Sequence, residues 1–104
     1  MTDVVGNIDT IPIGEGRAFV VDGRQIAVFH LRGGSFRALD AVCPHRGGPL
    51  ADGLLDGSVV VCPLHGHTFD LLSGEDVAGG GSPVTAYDVD VDGRGGILIK
   101  GISR

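Results

Sequence analysis

The chain has 104 residues, a length that fits one small domain with a modest core. A hydrophobic fraction of 42% excludes a disordered chain, and 19 glycines among runs rich in Val, Ile and Leu point to short strands joined by tight turns. The net charge of −5, with no cluster of Lys or Arg, argues against a nucleic-acid partner and fits acidic residues solvated in turns.

In chain order, Met1–Val5 has neither a basic n-region nor a long apolar run, so no signal peptide is expected there. Arg17–Val21 reads as a strand, Asp22-Gly23 as a hairpin turn, and Gln25–Leu31 as the partner strand. Gly33-Gly34 turns again into a third strand, Ser35–Asp40, which completes an antiparallel meander. Ser58–Val61 and His67–Asp70 read as short strands. Ala86–Val91 and Gly96–Lys100 form a last hairpin around Asp92-Gly93. Gly79-Gly80-Gly81-Ser82-Pro83 is a flexible stretch that ends in a rigid residue. The longest central apolar stretch, Val59–Leu64, is too short to span a bilayer, so no membrane anchor and a cytoplasmic location are expected. In that compartment a disulfide is a poor explanation for two cysteines.

The segment between the third strand and Leu72 carries the chemistry. It contains Cys43-Pro44-His45, then sixteen residues, then Cys62-Pro63-Leu64-His65, and these are the only two cysteines of the chain. Thiolates suit zinc and iron–sulfur iron, and imidazole suits zinc, copper and iron. Two Cys and two His can therefore hold zinc tetrahedrally. Zinc fingers, however, usually pair like with like, whereas here each loop supplies one thiol and one imidazole. A two-iron cluster with both cysteines on one iron and both histidines on the other fits that mixed arrangement. A structural zinc module stays open as a distant alternative.

Other residues read more plainly. His30 lies in a strand with no cysteine nearby and reads as structural or exposed. Asp40 precedes the first loop and either braces it or is simply solvated. Tyr87 reads as a core or edge residue of the last sheet. Gly47, Gly48 and Gly66 suit loops that need positive φ and close approach of bare N–H groups.

The runs Cys43-Pro44-His45-Arg46-Gly47-Gly48 and Cys62-Pro63-Leu64-His65-Gly66-His67-Thr68-Phe69-Asp70 resemble the two ligand loops of Rieske iron–sulfur proteins. The flanking hairpins extend the resemblance over nearly the whole chain, and the stretch ending at Pro83 resembles the family's proline loop. Two groups are most similar: the soluble Rieske ferredoxins that serve oxygenases, and the Rieske-like small subunit of assimilatory NAD(P)H nitrite reductase. The resemblance implies an all-β Rieske fold with antiparallel sheets, as a single domain over residues 1–104 with a cluster-binding subdomain at about 41–72. It implies one 2Fe–2S cluster per chain, with Cys43 and Cys62 on the inner iron and His45 and His65 on the outer iron. It implies one-electron transfer and no catalysis by the chain alone. The partners would be a flavoprotein reductase and an oxygenase, or the nitrite reductase large subunit.

Two departures bear on the potential. High-potential members carry an extra cysteine in each loop, where this chain has Gly48 and Leu64. They also carry a Ser and a Tyr that donate to the cluster side, where this chain has His67 and Phe69. Fewer donors stabilise the reduced state less, so the resemblance implies a low-end potential, on the order of −150 mV.

Overall fold

The computed structural model describes residues 4–21, 23–42, 50–62, 68–77 and 84–100. Among them nine strands form: β1 (Val4–Asn7), β2 (Gly16–Val21), β3 (Arg24–His30), β4 (Phe36–Asp40), β5 (Leu54–Asp56), β6 (Val59–Val61), β7 (Thr68–Asp70), β8 (Ala86–Val91) and β9 (Gly96–Lys100). Short 3-10 turns at Ile8–Thr10 and Leu50–Asp52 are the only helical pieces of the described residues. All strand pairs are antiparallel. Six strands make one sheet in the order β1-β9-β8-β4-β3-β2, and three make a second, β5-β6-β7.

The core explains the long apolar run of β3. Its residues alternate between two hydrophobic clusters rather than between core and water. Ile26 and Val28 join Ile11, Ala38, Tyr87, Ile97 and Ile99 on one face. Ala27 and Phe29 join Leu39, Leu50, Val60, Cys62, Phe69 and Leu71 on the other. A strand buried on both faces loses its polar positions, and so reads as a near-continuous apolar stretch. β3 and β4 are thus a shared wall, with the second cluster filling the space between the two sheets. At the far edges, β1 and β2 approach each other: a Cβ on Gly6 would lie 2.5 Å from the Phe19 ring.

The meander and the last hairpin lie where the sequence puts them, to within one residue at their ends. Val21 faces Arg24 across a two-residue hairpin in which Gly23 takes φ 79°. The last turn differs in detail. It is Gly95 (φ 79°), not Gly93, that takes the left-handed conformation. The Asp92 carboxylate closes this turn by accepting the Arg94 and Gly96 N–H groups, each at 2.8 Å. β1 and β5 were not anticipated. β1 is four residues long and half exposed, and β5 is a three-residue strand, so neither shows enough alternation to be read.

No helix among the described residues is long and apolar enough to cross a membrane.

Candidate metal centre

Three segments spring from the layer between the two sheets, and each is pinned where it leaves. The first follows β4. Leu50 N–H donates to Ala41 O at 2.8 Å, which brings the two ends of segment 42–49 together. The second is the hairpin loop between β6 and β7, whose last paired residues are Val61 and Thr68. The third follows β7. Val77 N–H donates to Thr68 O, and Val84 N–H donates to Gly74 O, each at 2.8 Å. The roots Ala41, Leu50, Cys62, Phe69 and Val84 all belong to the cluster between the sheets.

Cys62 stands at the end of β6 with its thiol buried, 1% exposed, against that apolar layer. A buried thiol at the root of a loop is a setting in which a soft metal can take a thiolate. The sequence also offers an imidazole three residues on, at His65, and a second thiol and imidazole at Cys43 and His45. These donors fit an iron–sulfur centre. Cys43, His45 and His65 lie outside the described residues, as do Gly47, Gly48, Gly66, His67 and Pro83. Phe69 is fully buried between the sheets.

The roots are held by polar contacts that sequence reading left open or missed. Asp40, left undecided between brace and solvated residue, is a brace. Its Oδ1 accepts from the Tyr87 hydroxyl at 2.7 Å and its Oδ2 from Thr85 N–H at 3.2 Å. Arg24 Nη1 donates to the Tyr87 oxygen at 2.9 Å. Burial, and then the hydrogen bond to Asp40, push the Tyr87 phenol above its ordinary value, with the Arg24 guanidinium opposing. The phenol therefore keeps its proton, and its bond to Asp40, across the neutral range. His30 is structural: Nδ1 lies 2.8 Å from Ile11 O, and the ring stacks on Phe36 with centroids 4.2 Å apart.

Arg37 was missed. From the second position of β4 its Nε donates to Leu71 O at 3.2 Å and its Nη1 to Asp88 at 3.3 Å; the first of these ties the large sheet to the turn after β7. The available signal was an arginine set among Phe36, Ala38 and Leu39. Replacing Arg37 by Met keeps the stem and removes the donors, leaving a carbonyl without its partner. The expected loss is about 1–3 kcal/mol. A differential-scanning melt should read this as a Tm lower by roughly 5–15 °C. An unchanged Tm would mean that the tie contributes nothing.

Two antiparallel sheets, with three segments rooted in the apolar layer between them, define an all-β domain. The model of the Rieske [2Fe-2S] domain matches residues 2–87, and the chain belongs to this family. Its cofactor is accordingly a 2Fe–2S cluster. Among curated proteins, the ferredoxin component of the naphthalene 1,2-dioxygenase system of Pseudomonas aeruginosa is 32% identical over 88 residues, 81% of each chain. Among solved structures, the ferredoxin of carbazole 1,9a-dioxygenase from Nocardioides aromaticivorans IC177 is 34% identical, with a TM-score of 0.82 over 95% of this chain and 96% of that one. A chain from Mycobacterium tuberculosis, described as an NADH-dependent nitrite reductase small subunit, has a TM-score of 0.86 over all of this chain and 96% of its own; at 24% identity the likeness is one of fold.

Proposed function

We propose that this chain is a one-electron carrier, the low-potential ferredoxin component of a multicomponent oxygenase-type system located in the cytoplasm. Support comes chiefly from relatives that match over about four-fifths of both chains and serve dioxygenases in this way. The proposal takes residues 1–104 as one Rieske domain, with about 41–72 as its cluster-binding part. Cys43 and Cys62 are the thiolate ligands of one iron, and His45 and His65 are the imidazole ligands of the other. When bound, the cluster supplies reversible one-electron chemistry. The protein residues hold and insulate it. Cys62 provides a thiolate from the buried layer, and the pinned loop roots keep the segments that carry the other donors close to it. Neutral imidazoles leave the centre less negative than four thiolates would, which eases its reduction. A flavoprotein reductase donates the electron and an oxygenase receives it, while the chain itself catalyses nothing.

The test is reconstitution. Purified protein should carry iron and acid-labile sulfide in equal amounts and show the electron paramagnetic resonance of a mixed-ligand cluster when reduced. It should pass electrons from a flavoprotein reductase to an oxygenase. Zinc without sulfide would overturn the cluster assignment. Native co-purification with a large siroheme protein, without transfer to any oxygenase, would overturn the carrier assignment.

The histidine ligands have their own test. His45→Cys or His65→Cys should still load a cluster, but the added thiolate charge should lower its midpoint by on the order of 100 mV or more. Voltammetry of the loaded variants reads this directly, and an unchanged midpoint removes that histidine from the ligand set.

A further inference from the structure

The contacts of Asp40 lie where two of the three segments leave the large sheet. β4 and β8 pair only at Ala38–Tyr87 and Leu39–Ala86. One step further, Asp40 N–H still donates to Thr85 O at 3.0 Å. The Thr85 N–H, however, goes to the Asp40 carboxylate at 3.2 Å. A side-chain oxygen thus takes the Thr85 donor at the last rung. Beyond this point β4 runs through Ala41 and Val42 towards segment 43–49, and the chain returning from 78–83 enters at Val84 and Thr85.

The spacing of these two roots is thus held by one backbone bond and one carboxylate, and the second of these depends on how the carboxylate is turned. A carboxylate held by a single backbone donor can rotate about its side-chain bonds, so something must fix it. The Tyr87 ring is fully packed, 1% exposed, and its hydroxyl holds Oδ1 at 2.7 Å. A phenol has one proton and accepts as well as donates. Because Arg24 Nη1 donates to the phenol oxygen at 2.9 Å, the phenolic proton is left directed at Asp40. The chain Arg24–Tyr87–Asp40–Thr85 runs from the start of β3, through β8, to the end of β4 and back to the residue before β8.

We propose that Tyr87 is a positioning residue for the iron–sulfur centre: acting through Asp40, it sets the spacing between the root of the first ligand segment and the root of segment 78–83, and through that the reduction midpoint. The inference rests on the electron-carrier reading above. The physical link is that hydrogen bonds to the sulfurs and exclusion of solvent tune the potential of such a cluster. Both depend on where the flanking backbone is held.

The test uses the cluster-loaded full chain. Tyr87→Phe removes one hydroxyl and keeps the ring. It should fold and load as wild type does, yet shift the reduction midpoint and the resonance g-values of the reduced protein. Amide hydrogen exchange in peptides covering 41–50 and 77–85 should quicken about tenfold, the factor that one ordinary buried hydrogen bond represents. Should Tyr87→Phe fail to load, Arg24→Met weakens the same phenol from the exposed side and should move the midpoint in a smaller step. A loaded Tyr87→Phe or Arg24→Met protein with wild-type midpoint, g-values and exchange overturns the proposal. Wild-type protein without acid-labile sulfide would sink the carrier reading instead, and the exchange comparison would still decide the brace.

Discussion

Cys62→Ser is expected to give a folded protein that has lost most of its iron, its acid-labile sulfide and its visible absorption. On the proposed ligand set, the buried Cys62 thiol is the soft donor at the root of the loop between β6 and β7. A serine hydroxyl ionises far less readily and is a hard ligand, so it cannot replace a thiolate on iron–sulfur iron. The six-stranded sheet carries its own hydrophobic cluster, which Cys62 does not touch, so far-ultraviolet circular dichroism should change little. The new hydroxyl sits in an apolar layer and should cost about 1–3 kcal/mol where it finds no partner. Iron and sulfide analysis of freshly purified variant reads the outcome. Full cluster content would remove Cys62 from the ligand set, while a collapse of the whole fold would show that the cluster, and not only the core, holds the body together. Cys43→Ser should lose the cluster in the same way.

Among the glycines of the described residues, Gly74→Ala should be the most damaging single methyl. Gly74 has φ 77°, and a Cβ built on it would lie 2.0 Å from Val84 O and 3.0 Å from Val84 C. Neither atom is the flexible end of a side chain, so the backbone entering β8 must move. The same two residues are joined by the bond from Val84 N–H to Gly74 O at 2.8 Å, and that bond would stretch with the shift. Left-handed strain alone costs roughly 1–2 kcal/mol. With the overlap, about 3 kcal/mol or more is expected. That lowers Tm by more than about 10 °C for a domain of this size. Gly57→Ala is the matched control: φ is 62°, but nothing lies within 4 Å of its Cβ. It should show the conformational cost only, about 1 kcal/mol. Equal melting points for the two variants would mean that the close approach of the two backbones carries no weight.

The fold was legible wherever local chemistry is strong. Asp22-Gly23 and Gly33-Gly34 punctuate the meander because only glycine adopts positive φ cheaply, and the strands between them are long enough to show their apolar content. β1 and β5 escaped notice because four or three residues carry too little pattern, and both depend on a partner elsewhere: β9 for β1 and β6 for β5. The last turn runs past Asp92-Gly93 to Gly95, which takes the positive φ while the Asp92 carboxylate accepts the Arg94 and Gly96 N–H groups. At the site, Cys62 stood out at once, because a cysteine paired with a histidine at short range has few other uses. The role of Asp40 did not, because a carboxylate before a loop looks the same whether braced or solvated. Arg37 looked like an ordinary strand charge, because its acceptors, Leu71 O and Asp88, lie 34 and 51 residues away.

The sequence by itself determined the all-β class and marked out Cys43, His45, Cys62 and His65 as the proposed donor set, because turn chemistry and ligand chemistry are written in residue types at short spacing. Tertiary structure alone decided that β3 is a wall between two cores, that three segments are rooted in one apolar layer, and that Arg24, Tyr87 and Asp40 hold two of those roots. The physical reason is separation. Arg24 and Tyr87 are 63 residues apart in the chain, and nothing in their local sequence shows that pairing β4 with β8 brings them within 2.9 Å of each other.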